Sequence, residues 1–435
     1  MSTHLKKSLS PILLWGLGVG YVISGMYFGW NIGLDKGGTL GLGIATVFIL
    51  IMYITFSLSY SELACAIPKA GGVFDYVGRA FGKDLGFVAG MAQWIEFVFA
   101  PPAIALGIGA YFHILYPAVD ELVFAIVAYF IFTAINIIGV KISATFELII
   151  TIIAVAELSL FASLTLPHFQ LQNLQTNPFP HGIEGIFAAI PFAIWFFLGM
   201  EGIANVAEET IDPQKNITKA FMYSMATLGL LAAMTFCAAV GVGGWEKVVY
   251  DSAGKVSDSP LPMALGQITG NSGLMYHMLV SVGLFGFVAS FNGLLLAAGR
   301  VTYEFGKVGQ FPRVLGEVHP KFNTPHWALV ANMVLGIFAL FTKRTGDIIT
   351  LSVFGAITLY IFSCLAIIRL RKTEPDMPRP FRTPFYPIVP IIALTIASVA
   401  LVAMSYFNSK LAIIYFAVIT FAFVLYKLFN SSDKS

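Results

Sequence analysis

The sequence predicts an all-α integral membrane protein of 12 transmembrane helices, built as two inverted five-helix repeats with discontinuous helices 1 and 6, plus helices 11 and 12 outside the repeats. Three observations predict this. Of the 435 residues, 57% are hydrophobic and only 11% charged, against about 25% charge in an ordinary soluble chain. Twelve apolar runs reach spanning length. Two of those runs, five apart, are interrupted in mid-span by glycine and polar residues.

The runs cover 12–34, 41–66, 85–115, 120–140, 143–166, 184–208, 219–243, 273–302, 325–342, 347–368, 386–407 and 409–429. Lys6 and Lys7 precede the first run, but it is long enough to span and has no small-residue cleavage site, so it reads as a helix and not as a signal peptide. The expected organisation is a cytoplasmic tail (1–11), a first five-helix repeat (12–166), a second (167–368), helices 11 and 12 with their preceding loop (369–429), and a cytoplasmic C-terminal tail (430–435). The longest connections, near 167–182, 244–272 and 303–324, are too short for a separate folded domain.

Orientation follows from the basic residues. With the N-terminus inside, only Lys36, Lys247, Lys255, Lys343, Arg344 and Lys410 of the 25 fall on outer segments. Positive charge stays on the cytoplasmic face, so both termini are expected inside, with lipid as the surrounding partner.

Composition also excludes. A net charge of +2 gives no electrostatic footprint for nucleic acid. Cys65, Cys237 and Cys364 lie in or beside apolar runs without metal-ligand spacing, and read as inert buried thiols. The seven histidines are dispersed, and neither an HExxH string nor a nucleophile elbow occurs. Neither an enzyme, a cofactor nor a metal site is expected. Oligomeric state is not legible.

The two interruptions are the informative features. The first run carries Gly16, Gly18, Gly20, Ser24, Gly25, Gly29 and Gly33. The sixth reads PFAIWFFLGMEGIANVAEE, with Gly199, Glu201, Gly202 and Asn205 following Pro191. Glycine permits close backbone approach, and a glutamate at membrane depth is costly unless it faces protein or water. Unwound backbone at mid-bilayer is tolerated only where a ligand, an ion or a neighbouring helix satisfies it. Two broken helices facing one polar cavity satisfy all of these conditions.

Three longer blocks then carry a resemblance: YSELACAIPKAGGVFDYVGRAFG (60–82), FLGMEGIANVAEETIDPQKNITKA (197–220) and GRVTYEFGKVGQFPRVLGEVHPKFNTP (299–325), with NIIGVK at 136–141. Together they resemble the amino acid–polyamine–organocation permease superfamily over nearly all of residues 10–430. LLWGLGVGYVISGMYFGWNIGL (13–34) and GMAQWIEFVFAPPAIALGIGAYFH (90–113) are most similar to bacterial ethanolamine permeases. The resemblance implies a secondary transporter working by alternating access, with ethanolamine as small-molecule substrate and protons or the membrane potential as driving force. An amino acid, another small amine or a polyamine is the alternative, exchange included. Amino acid carriers of this kind have Gly-x-Gly-Ile-Phe at the first break; here the stretch is Ile23, Ser24, Gly25, Met26 and Tyr27, so Ile23 replaces the first glycine of the carboxylate cradle.

Ethanolamine is a small ammonium ion with a hydroxyl and no carboxylate, so its site needs a negative charge or an aromatic face and a hydrogen-bonding partner. Glu96, among Trp94, Phe97 and Phe99, and Glu201, two residues past Gly199, are the two candidates for the ammonium. Trp195, Phe197 and Tyr27 flank the breaks as aromatic faces, Ser24 and Asn205 suit the hydroxyl, and Gly199 and Gly202 shape the second break. Pro101 and Pro102 remove donors one turn beyond Glu96.

Coupling and gating have their own candidates. Some proton-coupled relatives carry a lysine within helix 5; here Ala154 or a neighbour stands there, and Glu157 is the mid-helix acid. Glu62, Lys69, Asp75, Lys141, Glu208 and Arg300 read as inner-gate or loop contacts.

Overall fold

The computed structural model describes residues 9–69, 71–138, 144–271 and 273–432. Helix α1 (Pro11–Gly20) begins with proline in its first turn, where a missing N–H costs nothing. It gives way to a turn at Tyr21–Ile23 and the single turn α2 (Ser24–Tyr27). Phe28 is then extended before α3 (Trp30–Ala66) starts. Gly38 interrupts α3 at φ 64°, a left-handed conformation that a side chain would strain, so one apolar stretch becomes two helices that turn on each other.

The chain continues through α4 (Val73–Phe81), α5 (Lys83–Leu115), α6 (Glu121–Ile138) and α7 (Ala144–Thr165). Short helices α8 (Leu171–Gln175), α9 (Gly182–Ala188) and α10 (Ile190–Trp195) lead to a second unwound turn, followed by a 3-10 segment at Met200–Glu209. Helix α11 (Pro213–Gly243) comes next, then α12 (Glu246–Val249) and α13 (Pro260–Thr269). The remainder is α14 (Leu274–Lys307), α15 (His326–Leu340), α16 (Thr345–Thr373), α17 (Ile388–Phe407) and α18 (Ser409–Ser432).

Among the described residues, nine helices are long and apolar enough to cross a membrane: α3, α5, α6, α7, α11, α14, α16, α17 and α18. Two shorter apolar helices, α1 and α15, add to them. The protein is therefore all-α and multi-pass. Leu230, Val402, Ile413 and Phe421 each expose 66–70% of their surface. Such apolar exposure suits hydrocarbon rather than water.

Helix α5 is the central post, packed against α4, α6, α14 and α16. It runs unbroken through Pro101 and Pro102, which leave the carbonyls of Phe97 and Val98 without their helical donors. Gly355 lets α16 approach it closely, because a Cβ there would stand 2.4 Å from the Ala92 carbonyl oxygen. That contact fixes one wall of the interior. The other wall is α1, lying on α7 and α11.

Candidate functional site

The two interruptions meet. A Cβ on Gly25 would stand 2.5 Å from the carbonyl oxygen of Trp195, so backbone rests on backbone where the two broken helices cross. The Trp195 indole N–H donates to the Phe28 carbonyl at 3.1 Å, and its ring meets Phe28 edge-on at 5.5 Å. Gly199 takes φ 97°, a turn that residues with a Cβ adopt only under strain, and Tyr21 lies over Gly202.

Two glutamates converge at the second break. Glu96 and Glu201 are both fully buried and lie near enough to act on each other electrostatically, close to Gly199. Tyr360 donates its hydroxyl to Glu201 Oε2 at 3.0 Å, and Tyr53 lies 2.9 Å from the Tyr360 hydroxyl. Because Tyr360 has spent its one proton on Glu201, Tyr53 is the donor to Tyr360. Both Glu96 oxygens and Glu201 Oε1 make no geometric hydrogen bond. Neither glutamate has a basic partner among the described residues. The site is thus an aromatic-walled acidic recess, with Phe197 packed on Tyr53 at 5.3 Å.

At the first break the amides are already satisfied. Ile23 donates to the Val19 carbonyl at 2.9 Å, Gly25 to Val22 at 2.8 Å and Met26 to Ile23 at 3.0 Å, while Ser24 donates to the Ser290 hydroxyl at 3.0 Å. Ser290 in turn donates to the Gly20 carbonyl at 2.7 Å, which ties α14 across the break.

A family model described as amino acid permease matches residues 9–427. The chain belongs to the amino acid permease family. Membership makes it a transporter rather than an enzyme, and among the described residues no group of three His, Cys, Asp or Glu is placed to hold a metal ion. The permease is similar to a methylthioribose transporter of Bacillus subtilis, 27% identical over 98% of this chain and 94% of the relative. It is also similar to a branched-chain amino acid permease of Bacillus subtilis, at 26% over 90% of this chain and 86% of the relative. A low-affinity putrescine importer of Escherichia coli is 25% identical over 84% of this chain and 81% of the relative.

Several of the expected site residues turn away from the two glutamates. Tyr27 turns toward α7, donating its hydroxyl to the Ala154 carbonyl at 3.0 Å beside Glu157. Asn205 faces the amide of Gln93 at 3.5 Å and the backbone of Gly72, near Tyr60. Ser24 contributes its backbone N–H to the bond with Ser290.

At the end of the bundle carrying α4, Glu62 is 1% exposed and bound by two arginines. Arg371 grips it through both oxygens at 2.7 Å, Arg379 approaches at 3.2 Å, and the Thr383 amide donates to it at 2.7 Å. Lys69 pairs instead with Asp75 at a loose 3.9 Å, and Arg300 with Glu209 at 3.1 Å. Lys141 and the side chain of Glu208 lie outside the described residues. The opposite end is tied by Asn31, whose amide donates to the carbonyls of Ser257 at 2.8 Å and Val248 at 3.3 Å, and by Thr345, which donates to Asp258.

Sequence reasoning missed Tyr53, Tyr360, Ser290 and the arginines at Glu62. The phenols had a signal, since each puts a hydroxyl in the middle of an apolar span; the arginines had none, because they lie about 310 positions along the chain from their partner.

Proposed function

We propose that this permease imports a small organic amine, with ethanolamine as the first candidate, and that Glu96 and Glu201 together hold its ammonium group. One observation carries the reading: two buried acids, without a basic partner among the described residues, stand near each other at the second break. The amides that would hold a carboxylate are meanwhile engaged with backbone and with Ser290. An ammonium ion between the two carboxylates supplies the missing positive charge and donates to the idle oxygens. Trp195 and Phe197 close the recess over two methylenes, and Tyr360 holds Glu201 in place.

The proposal includes the architecture that transport needs. The nine long helices, with α1, α15 and the α9–α10 segment, make twelve spans; 12–166 and 167–368 are the inverted repeats, and 369–429 adds the last two helices. Both termini, 1–11 and 430–435, face the cytoplasm of a bacterial inner membrane. The recess opens alternately as α2 and α10 swing away from α5 and α16 on one side, and as α1 and the Met200–Glu209 segment do so on the other. A membrane potential alone favours entry of a cation by about 2.3 kcal/mol per charge at 100 mV.

A second reading is an amino acid substrate, favoured by the branched-chain permease among the relatives. Competition in proteoliposomes decides. Labelled ethanolamine is expected to accumulate, and unlabelled ethanolamine to displace it better than putrescine, alanine or leucine. Leucine or alanine transported in preference to both amines overturns the amine reading and leaves the permease an amino acid carrier.

A further inference from the structure

Helix α7 carries two buried acids that the amine site does not use, and they flank the two ends of the first break. Glu147 is 3% exposed and stands at the Gly20 end: a Cβ on Gly20 would lie 2.7 Å from Glu147 Oε1 and 2.9 Å from the Thr151 hydroxyl. Glu157 is 6% exposed and stands at the other end, beside the Tyr27 hydroxyl. One oxygen of each, Glu147 Oε1 and Glu157 Oε2, is buried without a hydrogen bond. Their spacing along α7 corresponds to about 15 Å of helix, long enough to bracket the unwound turn between α1 and α2.

The surroundings leave each acid without a fixed counter-charge. Near Glu147 is Tyr21, which also lies within electrostatic range of Arg300 of α14 and Glu209, bound to each other. Facing Glu157 are Tyr27 and, from α5, Tyr111, with Tyr276 of α14 beyond. Helix α11, also packed on α7, carries Lys215, Lys219 and Tyr223, all exposed, and a half-buried Cys237. Helix α13 carries no titratable side chain, and the 3-10 turn Leu166–His168 that follows α7 carries the exposed His168. Neither Glu147 nor Glu157 pairs with a base among the described residues.

We infer that Glu147 and Glu157 are the proton-carrying groups of this permease, each holding a proton while its end of the first break is packed shut and exchanging it with water when α1 or α2 moves away. The inference rests on the transport reading above and on its orientation. A neutral carboxyl is tolerated in a dry contact where a bare carboxylate is not. Tyr27 is the link on the outer side: it is wedged against α14, where a Cβ on Gly286 would stand 2.3 Å from its ring, so α2 cannot tilt without uncovering Glu157. On the inner side, the Thr151 hydroxyl bond to the Gly16 carbonyl at 3.0 Å and the contact at Gly20 hold α1 over Glu147. Glu157 takes a proton from the outer water when α2 moves away; the proton then passes through water admitted to the break and the Thr151 hydroxyl to Glu147, which gives it to the inner water when α1 moves away, so one proton crosses in each cycle.

The test compares wild type, Glu147→Gln and Glu157→Gln, with Glu→Asp at each position, in proteoliposomes. Uptake of labelled ethanolamine, putrescine and leucine is driven by an inside-alkaline pH gradient with the potential clamped, and counterflow is measured with no gradient. Whichever substrate the wild type carries is expected to show gradient-stimulated uptake that each Gln variant loses, while counterflow stays within about threefold and Asp restores part of the stimulation. Stimulation retained in both Gln variants, or absent from the wild type, overturns the inference. Absence of counterflow with all three compounds would instead defeat the substrate reading. In that case infrared spectra of the protein in lipid still decide: a protonated-carboxyl band that titrates in the wild type is expected to shrink in each Gln variant, and identical spectra overturn the proposal.

Discussion

Gly25 and Trp195 touch through backbone: the position of a Gly25 side chain would be 2.5 Å from the Trp195 carbonyl oxygen, and 3.5 Å from the Cα of Phe196. Nothing at that crossing is the flexible end of a side chain, so an added methyl group has nowhere to go. Gly25→Ala is expected to destabilise the closed packing by about 1–3 kcal/mol and to cut transport sharply. Gly43→Ala, where nothing lies within 4 Å, is the control and should leave both thermal stability and uptake unchanged. Equal behaviour of the two variants in uptake and melting assays would mean that the broken helices do not meet as described.

The acidic recess gives a second prediction. Replacing Glu96 or Glu201 with Gln removes a charge-assisted hydrogen bond to the ammonium, which costs about 1.5–3 kcal/mol and corresponds to roughly a tenfold or greater loss of affinity. Tyr360→Phe leaves Glu201 Oε2 unsatisfied and is expected to weaken binding less, by about 1 kcal/mol. Direct binding measurements by calorimetry check the order; affinity unchanged in both Gln variants would place the amine elsewhere.

The arginine pair at Glu62 is a stability element. Removing one side of a buried ion pair costs about 3–5 kcal/mol, because the charge left behind is both dry and unpaired. Arg379→Ala, from a side chain only 3% exposed, should therefore lower the melting temperature strongly, and Arg371→Ala similarly. Lys69→Ala removes a 63% exposed lysine from a 3.9 Å contact and is expected to change stability by less than about 1 kcal/mol.

A pH dependence follows from Asp258, in the loop between α12 and α13. Loss of surrounding water pushes its carboxyl up to about 6 from an ordinary value of 3.8, and the hydrogen bond from Thr345 offsets this only in part. The folded state thus favours the protonated form. Its contribution is full below the ordinary value and is lost as the pH rises through about 6. Asp258→Asn is expected to flatten the melting profile across that window and to stabilise the protein above it by roughly 1–2 kcal/mol. A wild-type profile that climbs across the same window would contradict this sign.

At the end of the bundle carrying α4, the 44% exposed Arg79 is bound to Glu374 through both oxygens at 2.6 and 3.0 Å, and this pairing holds the Glu374 carboxyl below its usual range. So open a pair is screened by salt. Arg79→Ala should matter less at high ionic strength than at low, and melting curves at two salt concentrations measure the difference.

By itself the sequence determined the solvent, the all-α, multi-pass character of the chain and the two places where a helix gives way. Those are local properties: a run of apolar residues needs no partner to prefer lipid, and glycines beside Ser24 or Glu201 weaken a helix wherever it packs. The acids were legible as costly residues at membrane depth. Which acids meet was decided only in three dimensions. Glu96 and Glu201 come together because Gly355 draws α16 onto α5 and Gly199 turns the chain beneath it, whereas Tyr27 leaves that recess for Glu157. Glu147 gave no sign of its place opposite Gly20, and Glu62 none of its two arginines. Side-chain period and hydropathy describe one helix at a time; contacts between helices far apart in the chain depend on crossing distance and rotation, which no single segment encodes.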